Sequence, residues 1–488
     1  MSPADTPRAK NLALALLAMT QFVVVLDAAI VNVALPSIGR ELDFARDDLS
    51  WVVNAYTLFF GGFLLLGGRL SDLLGRRRMF MWGMVLFAGA SLAGGLAQSD
   101  IWLIVARAVQ GLGAAIVSPA ALSIVTTTFT EGAERNRALG VWGAVAGSGG
   151  AAGVLLGGIL TETLGWEWVL FVNTPIGIAA ALLAPHLLGE SRDARSPSFD
   201  FAGAISVTAG LALLVYTLVD ANDAGWGSTQ TIGLGAIAVL LLAAFLAIEA
   251  RRRYPLMPFS IFRLRTLRGA NIVALLIGMS LFSMFFFISL YMQQVLGYEP
   301  LKAGLAYLPL AGLIIVSAGM ASQLVTRIGF KPILIVGMLL VAAGLIWFGQ
   351  VSAPGGTYLG DILFPSMLAA VGLGFAFVPV TIAAVTGTRP DEAGLASGLI
   401  NTSQQVGGAL GLAVLATVAT GRTDDVVASG ERNPLVALTE GFQDAFLAGA
   451  GLALLGALLA AVLISSKDSR EHAEAARRGE TSPAAIAA

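Results

Sequence analysis

The stretch GGRLSDLLGRRRMF, Gly67 to Phe80, joins two long apolar runs through a short basic turn. Gly68 and Gly75 remove side chains where helices approach closely or the chain turns tightly. Asp72 can accept hydrogen bonds from Arg76, or from the N-terminus of a neighbouring helix, whose dipole favours an anion. Arg76, Arg77 and Arg78 would anchor such a turn on the inner side of a bilayer. An arginine cluster after a helix is a plain topology signal. The spacing Gly-x-x-x-Asp-x-x-Gly-Arg-Arg-Arg is more specific.

The rest of the chain has the composition of a membrane protein. Its 488 residues are 56% hydrophobic and 12% charged, with mean hydropathy +0.80. A soluble chain carries about 25% charged residues. A bilayer span takes about 20 mostly apolar residues, and it must be helical because lipid cannot satisfy free backbone groups. Such runs lie at 12–36, 50–70, 79–98, 101–126, 137–160, 167–188, 201–219, 230–250, 269–294, 302–325, 332–351, 357–380, 395–420 and 442–466, fourteen in all. The first run is longer than the roughly 7–15-residue core of a signal peptide, and it reads as a retained anchor. The fold class is therefore an all-α polytopic membrane protein.

Net charge of −2 leaves no footprint for nucleic acid. With no Cys and only His186 and His472, both in predicted loops or tails, no disulfide, metal site or cofactor is expected. No nucleotide-binding G-x-x-x-x-G-K-[ST] motif occurs, so a primary pump is disfavoured. An even span number puts both termini on one side. Twenty-three of the 29 Lys and Arg then fall on that side and five on the other, which makes it the cytoplasmic one.

The sorting leaves two charges inside spans. Asp27 lies in QFVVVLDAAIVNVALPSI, Gln21 to Ile38, and Arg107 in LIVARAVQGLGAA. A carboxylate in hydrocarbon costs about 2.5–3.5 kcal/mol on insertion scales. At 1.5 Å per residue, Asp27 lies roughly 14–16 Å and Arg107 roughly 9 Å below the outer end of its span. The two can share one depth and meet directly or through a water. Burial disfavours the ionised acid, a guanidinium favours it, and Arg keeps its charge. A proton-cycling acid and a static buried ion pair both fit. Asp27 facing an Arg makes a poor enzyme active site, so no enzyme is expected.

The chain also repeats itself. VGLGFAFVP, Val371 to Pro379, echoes QGLGAAIVSP, Gln110 to Pro119. EAGLASGLINTSQQVGGALG, Glu392 to Gly411, echoes ERNRALGVWGAVAGSGGAAG, Glu134 to Gly153. The fourth and fifth spans of the first six thus match those of the last six. Parallel repeats about an axis along the membrane normal are a transporter architecture, with the substrate site between the halves. The division is 1–11, an N-terminal segment; 12–188, a six-helix bundle; 189–268, two inserted helices and a basic linker; 269–466, a second six-helix bundle; and 467–488, a tail expected to be flexible.

The Gly67–Phe80 turn, LIVARAVQGLGAA and LDAAIVNVALP together resemble the signatures of the major facilitator superfamily. With fourteen spans, the resemblance is to its drug:proton antiporter group, and it covers about Leu12 to Ser466. GWEWVLFVNTPIG and SPSFDFAGAI also fit. The resemblance implies export of lipophilic, often cationic compounds across a bacterial-type cytoplasmic membrane by alternating access. A proton gradient would supply the energy, Asp27 and Arg107 the coupling, and Gly68, Asp72, Gly75, Arg76, Arg77 and Arg78 a cytoplasmic gate loop. It implies a helix-packing antiporter motif at Gly147, Gly153, Gly157 and Gly158. There Val154 replaces the expected proline, so close packing should survive while a proline-dependent kink should not. Asn54 stands where some members place an acid, and Glu167 where an arginine is usual.

Candidate substrate-cavity residues are Asn32, Asn54, Gln110, Phe286, Gln293, Asn401, Gln404 and Gln405. Phe286 belongs to the Met- and aromatic-rich LFSMFFFISLYMQQ, which could equally face lipid. Asn401, Gln404 and Gln405 share one helix face, where interhelical bonding competes with substrate contact. The basic segment 249–269 could lie on anionic lipid or simply anchor topology. The expected partners are small lipophilic substrates, protons and the bilayer, and a monomer is expected. The rivals are a same-fold transporter of one metabolite, antibiotic or lipid, and a non-transporting receptor or scaffold.

Overall fold

Each of the fourteen apolar stretches is helical in the structure, a computed structural model that describes residues 6–44, 49, 51–130, 132–191, 201–252, 259–353, 355–389 and 392–478. The first half contains α1 (Pro7–Glu41), α2 (Trp51–Leu74), α3 (Arg76–Gly95), α4 (Asp100–Thr128), α5 (Ala133–Thr163), the short α6 (Trp168–Phe171) and α7 (Asn173–Leu187). Then come α8 (Phe201–Ala224) and α9 (Thr229–Glu249). The second half contains α10 (Arg265–Leu290), α11 (Pro300–Ala306), α12 (Leu308–Ile328), α13 (Phe330–Phe348), α14 (Phe364–Val385), α15 (Ala393–Ala428) and α16 (Pro434–Leu463), followed by α17 (Ser466–Arg478).

Among the described residues, eleven helices are long and apolar enough to cross a membrane, or twelve with the bent α5. The expected number was fourteen. The two that fall short are α3 and α8. Arg76, Arg77 and Arg78 open α3 and glycines dilute the rest of it. The apolar part of α8, Ala202–Leu218, is short.

The internal repeat is visible as packing. Pro119 lies inside α4 and Pro379 inside α14. On α5, Gly149 and Gly153 meet α1 at Val25, Leu26 and Ala29; on α15, Gly407 and Gly411 meet α10 at Leu275 and Met279. A Cβ at Gly153 would stand 2.7 Å from the Leu26 carbonyl oxygen, and one at Gly157 2.7 Å from that of Ile30. Glycine at these sites lets helices approach to van der Waals contact of their backbones. Gly158 is buried on the same helix, which also carries Gly147. The segments Ala133–Gly150 and Ala152–Thr163 of α5 meet at 43°. The bend exists without a proline, so it is not the proline-dependent kink whose loss Val154 implied. The Ser148–Gly149–Gly150 run explains it, because glycine and serine pairs are sites where helices kink.

The halves meet where α5 packs on α12 and α14, and where α15 packs on α2 and α4. The inserted α8 lies across the second seam, against both α2 and α15. Ala212 of α8 fits beside Gly62, and Tyr216 stacks on Trp51 with ring centroids 5.5 Å apart. Of the basic segment 249–269, residues 253–258 lie outside the described residues. Arg265 within it donates to the last carbonyls of α16, at Val462 (2.7 Å) and Leu463 (3.2 Å).

The tail corrects the expectation of flexibility. Residues 466–478 form α17, which packs under α12 and α13. Its buried face consists of Ser469, His472, Ala473, Ala475 and Ala476. Ser469 Oγ accepts the Lys331 N–H at 3.0 Å, and Arg477 donates to the Arg327 carbonyl. Residues 479–488 lie outside the described residues.

Candidate functional site

Asp27 and Arg107 meet directly. Arg107 Nη1 donates to Asp27 Oδ2 at 2.6 Å, and both side chains are inaccessible to solvent. The pair sits inside the first bundle, enclosed by α1, α2, α3, α4 and α7. Arg107 Nε donates to the Val52 carbonyl at 2.9 Å, and its guanidinium carbon lies 4.4 Å from the centre of the Tyr56 ring. Tyr56 is fixed in turn by donating to the Val24 carbonyl at 3.1 Å.

Three further polar side chains complete the cluster. Gln110 Oε1 accepts from Arg107 Nη1 at 2.6 Å, and Gln110 Nε2 donates to Asp27 Oδ1 at 2.8 Å. Asn173 Nδ2 donates to the same Oδ1 at 2.7 Å. Ser91 Oγ bridges the two amides, accepting from Gln110 and, at 3.3 Å, from Asn173. Gln110 was expected in the substrate cavity; it is instead buried one helical turn from Arg107 and serves the ion pair. Ser91 and Asn173 were not anticipated. Asn173 sits in FVNTPIG, where an Asn before a Thr-Pro reads as a helix start. Ser91, among Gly and Ala, reads as a small packing residue.

Two buried atoms of this cluster have no hydrogen-bond partner among the described residues, Arg107 Nη2 and Asn173 Oδ1. Unpaired buried polar atoms are uncommon and costly.

The Gly67–Phe80 turn is a second polar site. Asp72 is fully buried and takes Arg76 at 3.1 Å through Nε and 2.8 Å through Nη2. Its other oxygen accepts the Leu395 backbone N–H at 3.1 Å, in the first turn of α15. Both partners foreseen for it, Arg76 and a helix N-terminus, are therefore present together. Gly75 has φ 109° at the start of α3, a conformation natural to glycine. Gly68 is buried where α2 passes Gly398 of α15. Arg77 donates to the Leu188 carbonyl at 3.2 Å, and Arg77 and Arg78 face Glu190 at 3.7 and 3.8 Å. Glu190 was not foreseen, since an acid just past a span resembles any solvated loop residue.

The halves are joined again at the α5–α12 seam. Ser322 Oγ donates to the Asn136 carbonyl at 2.6 Å, and Asn136 Nδ2 donates to Thr326 Oγ1 at 3.1 Å. His472 of α17 reaches the same residue, with Nε2 2.9 Å from Asn136 Oδ1. Burial, reinforced by Arg135, lowers the His472 ring to about 4, so it is neutral at ordinary pH.

The remaining candidates are dispersed. Asn401 is buried, and Ser118 Oγ contacts its Oδ1 at 3.5 Å and Gln21 Oε1 at 3.0 Å. That triplet joins α1, α4 and α15 across the seam; Gln21 and Ser118 were not foreseen. Gln404 and Gln405 are half-buried on α15, next to Gly278 and Gly61 respectively. Asn54 is half-buried on α2. Asn32 is exposed and donates to the Ala28 carbonyl of its own helix at 3.0 Å. Phe286 is exposed, and Gln293 is exposed and bonded to Ser289 at 3.0 Å. These last three do not converge with the others.

The family model for the Major Facilitator Superfamily matches residues 17–412. The chain belongs to the major facilitator superfamily. Among its relatives, the puromycin resistance protein pur8 of Streptomyces alboniger is 40% identical over 452 residues, covering 92% of this chain and 90% of the relative. The cephamycin export protein CmcT of Amycolatopsis lactamdurans is 42% identical over 457 residues, covering 92% of each. The tetracenomycin C resistance and export protein of Streptomyces glaucescens is 37% identical over 404 residues, covering 83% and 74%. Among solved structures, the human organic anion transporter MFSD10 superposes with a TM-score of 0.67 at 18% identity, covering 93% of this chain and all of that one. That likeness bears on the fold alone, which is a major facilitator fold in both.

Proposed function

We propose that this major facilitator protein is a proton-coupled exporter of lipophilic compounds, working by alternating access as a monomer. The face that carries Thr6, the Gly67–Phe80 turn and α17 lies in the cytoplasm, in keeping with the bias of Lys and Arg. The observation that carries the reading is the sealed cluster around Asp27. A purely structural ion pair is stable when every donor and acceptor is matched. This one leaves Arg107 Nη2 and Asn173 Oδ1 unmatched, which suits a site with a second arrangement to adopt.

In the proposed cycle, ionised Asp27 is held by Arg107 while substrate occupies the seam lined by Gln21, Ser118 and Asn401. Opening to the outside lets a proton reach Asp27. The neutral acid releases Arg107, the first bundle relaxes, and substrate leaves outward. Return to the cytoplasm discharges the proton. The gate loop, through Asp72, holds the cytoplasmic face shut while the outer face opens.

Relatives named for puromycin, cephamycin and tetracenomycin C favour antibiotic-like substrates. They also favour a narrower second reading, export of one such compound. Efflux and resistance profiling of a host expressing the protein, across lipophilic cations, neutral antibiotics and lipids, separates the two. Loss of every resistance phenotype with Asp27→Asn supports both readings; wild-type resistance in that variant contradicts both.

A further inference from the structure

We infer that Asn173 is a positioning residue for the proton step, switching from hydrogen-bond donor to acceptor by rotation of its amide when Asp27 is protonated. The inference rests on the proposed coupling role of Asp27.

The argument follows from counting donors and acceptors. Ionised Asp27 accepts three bonds, from Arg107, Gln110 and Asn173. All three approach with N–H groups. A protonated acid carries an O–H donor, which requires an acceptor. At Oδ2 the new hydrogen would face the Arg107 guanidinium, which has no acceptor. At Oδ1 it would face two amide nitrogens.

One of those amides must therefore turn. Gln110 is committed, because its Oε1 already accepts from Arg107 at 2.6 Å. Asn173 Oδ1 is fully buried and makes no hydrogen bond among the described residues. Turning the Asn173 amide carries that oxygen to the Asp27 O–H. The bond it gives up to Ser91 is the weakest in the cluster, at 3.3 Å. The Ser91 hydroxyl can then rotate and donate to the same oxygen. Arg107, freed of the acid, keeps Gln110 Oε1, the Val52 carbonyl and the Tyr56 ring. Asp27 itself thus finds a hydrogen-bond partner among these residues in both protonation states.

Among the described residues, Arg107 on α4 and Tyr56 on α2 are the charged and titratable groups that face Asp27. α3 and α7 contribute the neutral Ser91 and Asn173, and α5 contributes glycine. No other charge from these elements competes for the proton.

The test is the dependence of substrate efflux on external pH in membrane vesicles. Asn173→Leu keeps the volume and removes both polar atoms. The ionised acid loses the 2.7 Å bond from Asn173 Nδ2 and retains Arg107 and Gln110, while the neutral acid loses its acceptor. In the proposed cycle efflux falls as external pH rises past the point where Asp27 takes up its proton. Were Asn173 a donor only, both Asn173→Leu and Asn173→Ala would destabilise the ionised acid alone and move that fall about one pH unit higher, the worth of roughly one hydrogen bond. With Asn173 also the acceptor of the neutral acid, the two losses offset and the fall should stay within about half a pH unit of wild type. In infrared difference spectra the carbonyl band of protonated Asp27 should then change from that of a hydrogen-bonded O–H in the wild type to that of a free one in both variants, which a merely structural role would not do. A fall moved about one unit higher, or an unchanged band, would overturn the inference. If neither variant assembles, infrared difference spectra of the wild type decide. The carbonyl band of protonated Asp27 should report a hydrogen-bonded O–H, and a free one would overturn it. Asp27→Asn, run alongside, separates the layers: if its efflux equals wild type, the coupling reading itself fails.

Discussion

The Asp72 carboxylate on α2 accepts the backbone N–H of Leu395 on α15 at 3.1 Å, joining residues 323 positions apart in the chain. It is a charge-assisted bond between the two halves, placed on the positive end of a helix dipole. The same carboxylate is held by Arg76, so the acid is aimed before α15 arrives.

Asp72→Asn therefore weakens closure of this face. Hydrogen bonds to charged groups contribute about 1.5–3 kcal/mol, which corresponds to a shift of roughly 10- to 100-fold toward the open face. The chain has no cysteine, so a single introduced thiol reports the change. Ser322→Cys lies in the other seam between the halves, where α5 packs on α12, and Ser322 is bonded to Asn136 in the wild type. Its modification by a membrane-impermeant thiol reagent, applied from the cytoplasmic side, should be at least about tenfold faster in the Asp72→Asn background. Equal rates would remove Asp72 from the gate.

Val154→Pro is predicted to be tolerated. A proline inside a straight helix costs about 3 kcal/mol, through a lost bond and a clash with the carbonyl four residues earlier. Here that carbonyl belongs to Gly150, at the 43° break between the two segments of α5. Thermal unfolding in detergent should move by only a few degrees, and efflux should stay within about threefold of wild type. Loss of the folded protein would show that the bend does not accommodate proline.

His472 makes docking of α17 sensitive to acid. Its ring is lowered to about 4 by burial and by Arg135, against about 6.5 in a free chain. A lowered base contributes stability that is fully present above 6.5 and is lost as the pH falls toward 4. The loss is on the order of 3 kcal/mol when complete. Hydrogen exchange of residues 466–478, corrected for intrinsic rates, should accelerate between pH 7 and pH 4.5 relative to the membrane helices. His472→Gln should flatten that dependence. Equal protection at both pH values would contradict the assignment.

Much of this architecture could be read from the residues. Every apolar run falls on a helix, because in lipid a backbone can satisfy itself only as a helix, but among the described residues only eleven or twelve of the expected fourteen are long and apolar enough to span. The repeat in the glycine pattern became a repeat in packing, since Gly149 and Gly153 do on α1 what Gly407 and Gly411 do on α10. Asp27 and Arg107 were legible because charges are rare in spans. Their neutral partners were not. Asn173, Ser91, Gln21 and Ser118 each look like an ordinary polar residue in a helix, and only the fold gathers the first two at Asp27 and the last two at Asn401. α17 was missed for a related reason: its buried face is built of Ala, Ser and His, which a hydropathy reading assigns to solvent.

The most direct test of the central claim uses proteoliposomes loaded with a lipophilic substrate, with an imposed pH gradient and an interior pH probe. The wild-type protein should couple substrate movement to opposite proton movement, so that collapsing the gradient stops accumulation. Asp27→Asn should fold, bind substrate and abolish gradient-driven accumulation, while downhill exchange of substrate persists. Accumulation at the wild-type rate in Asp27→Asn would contradict the account.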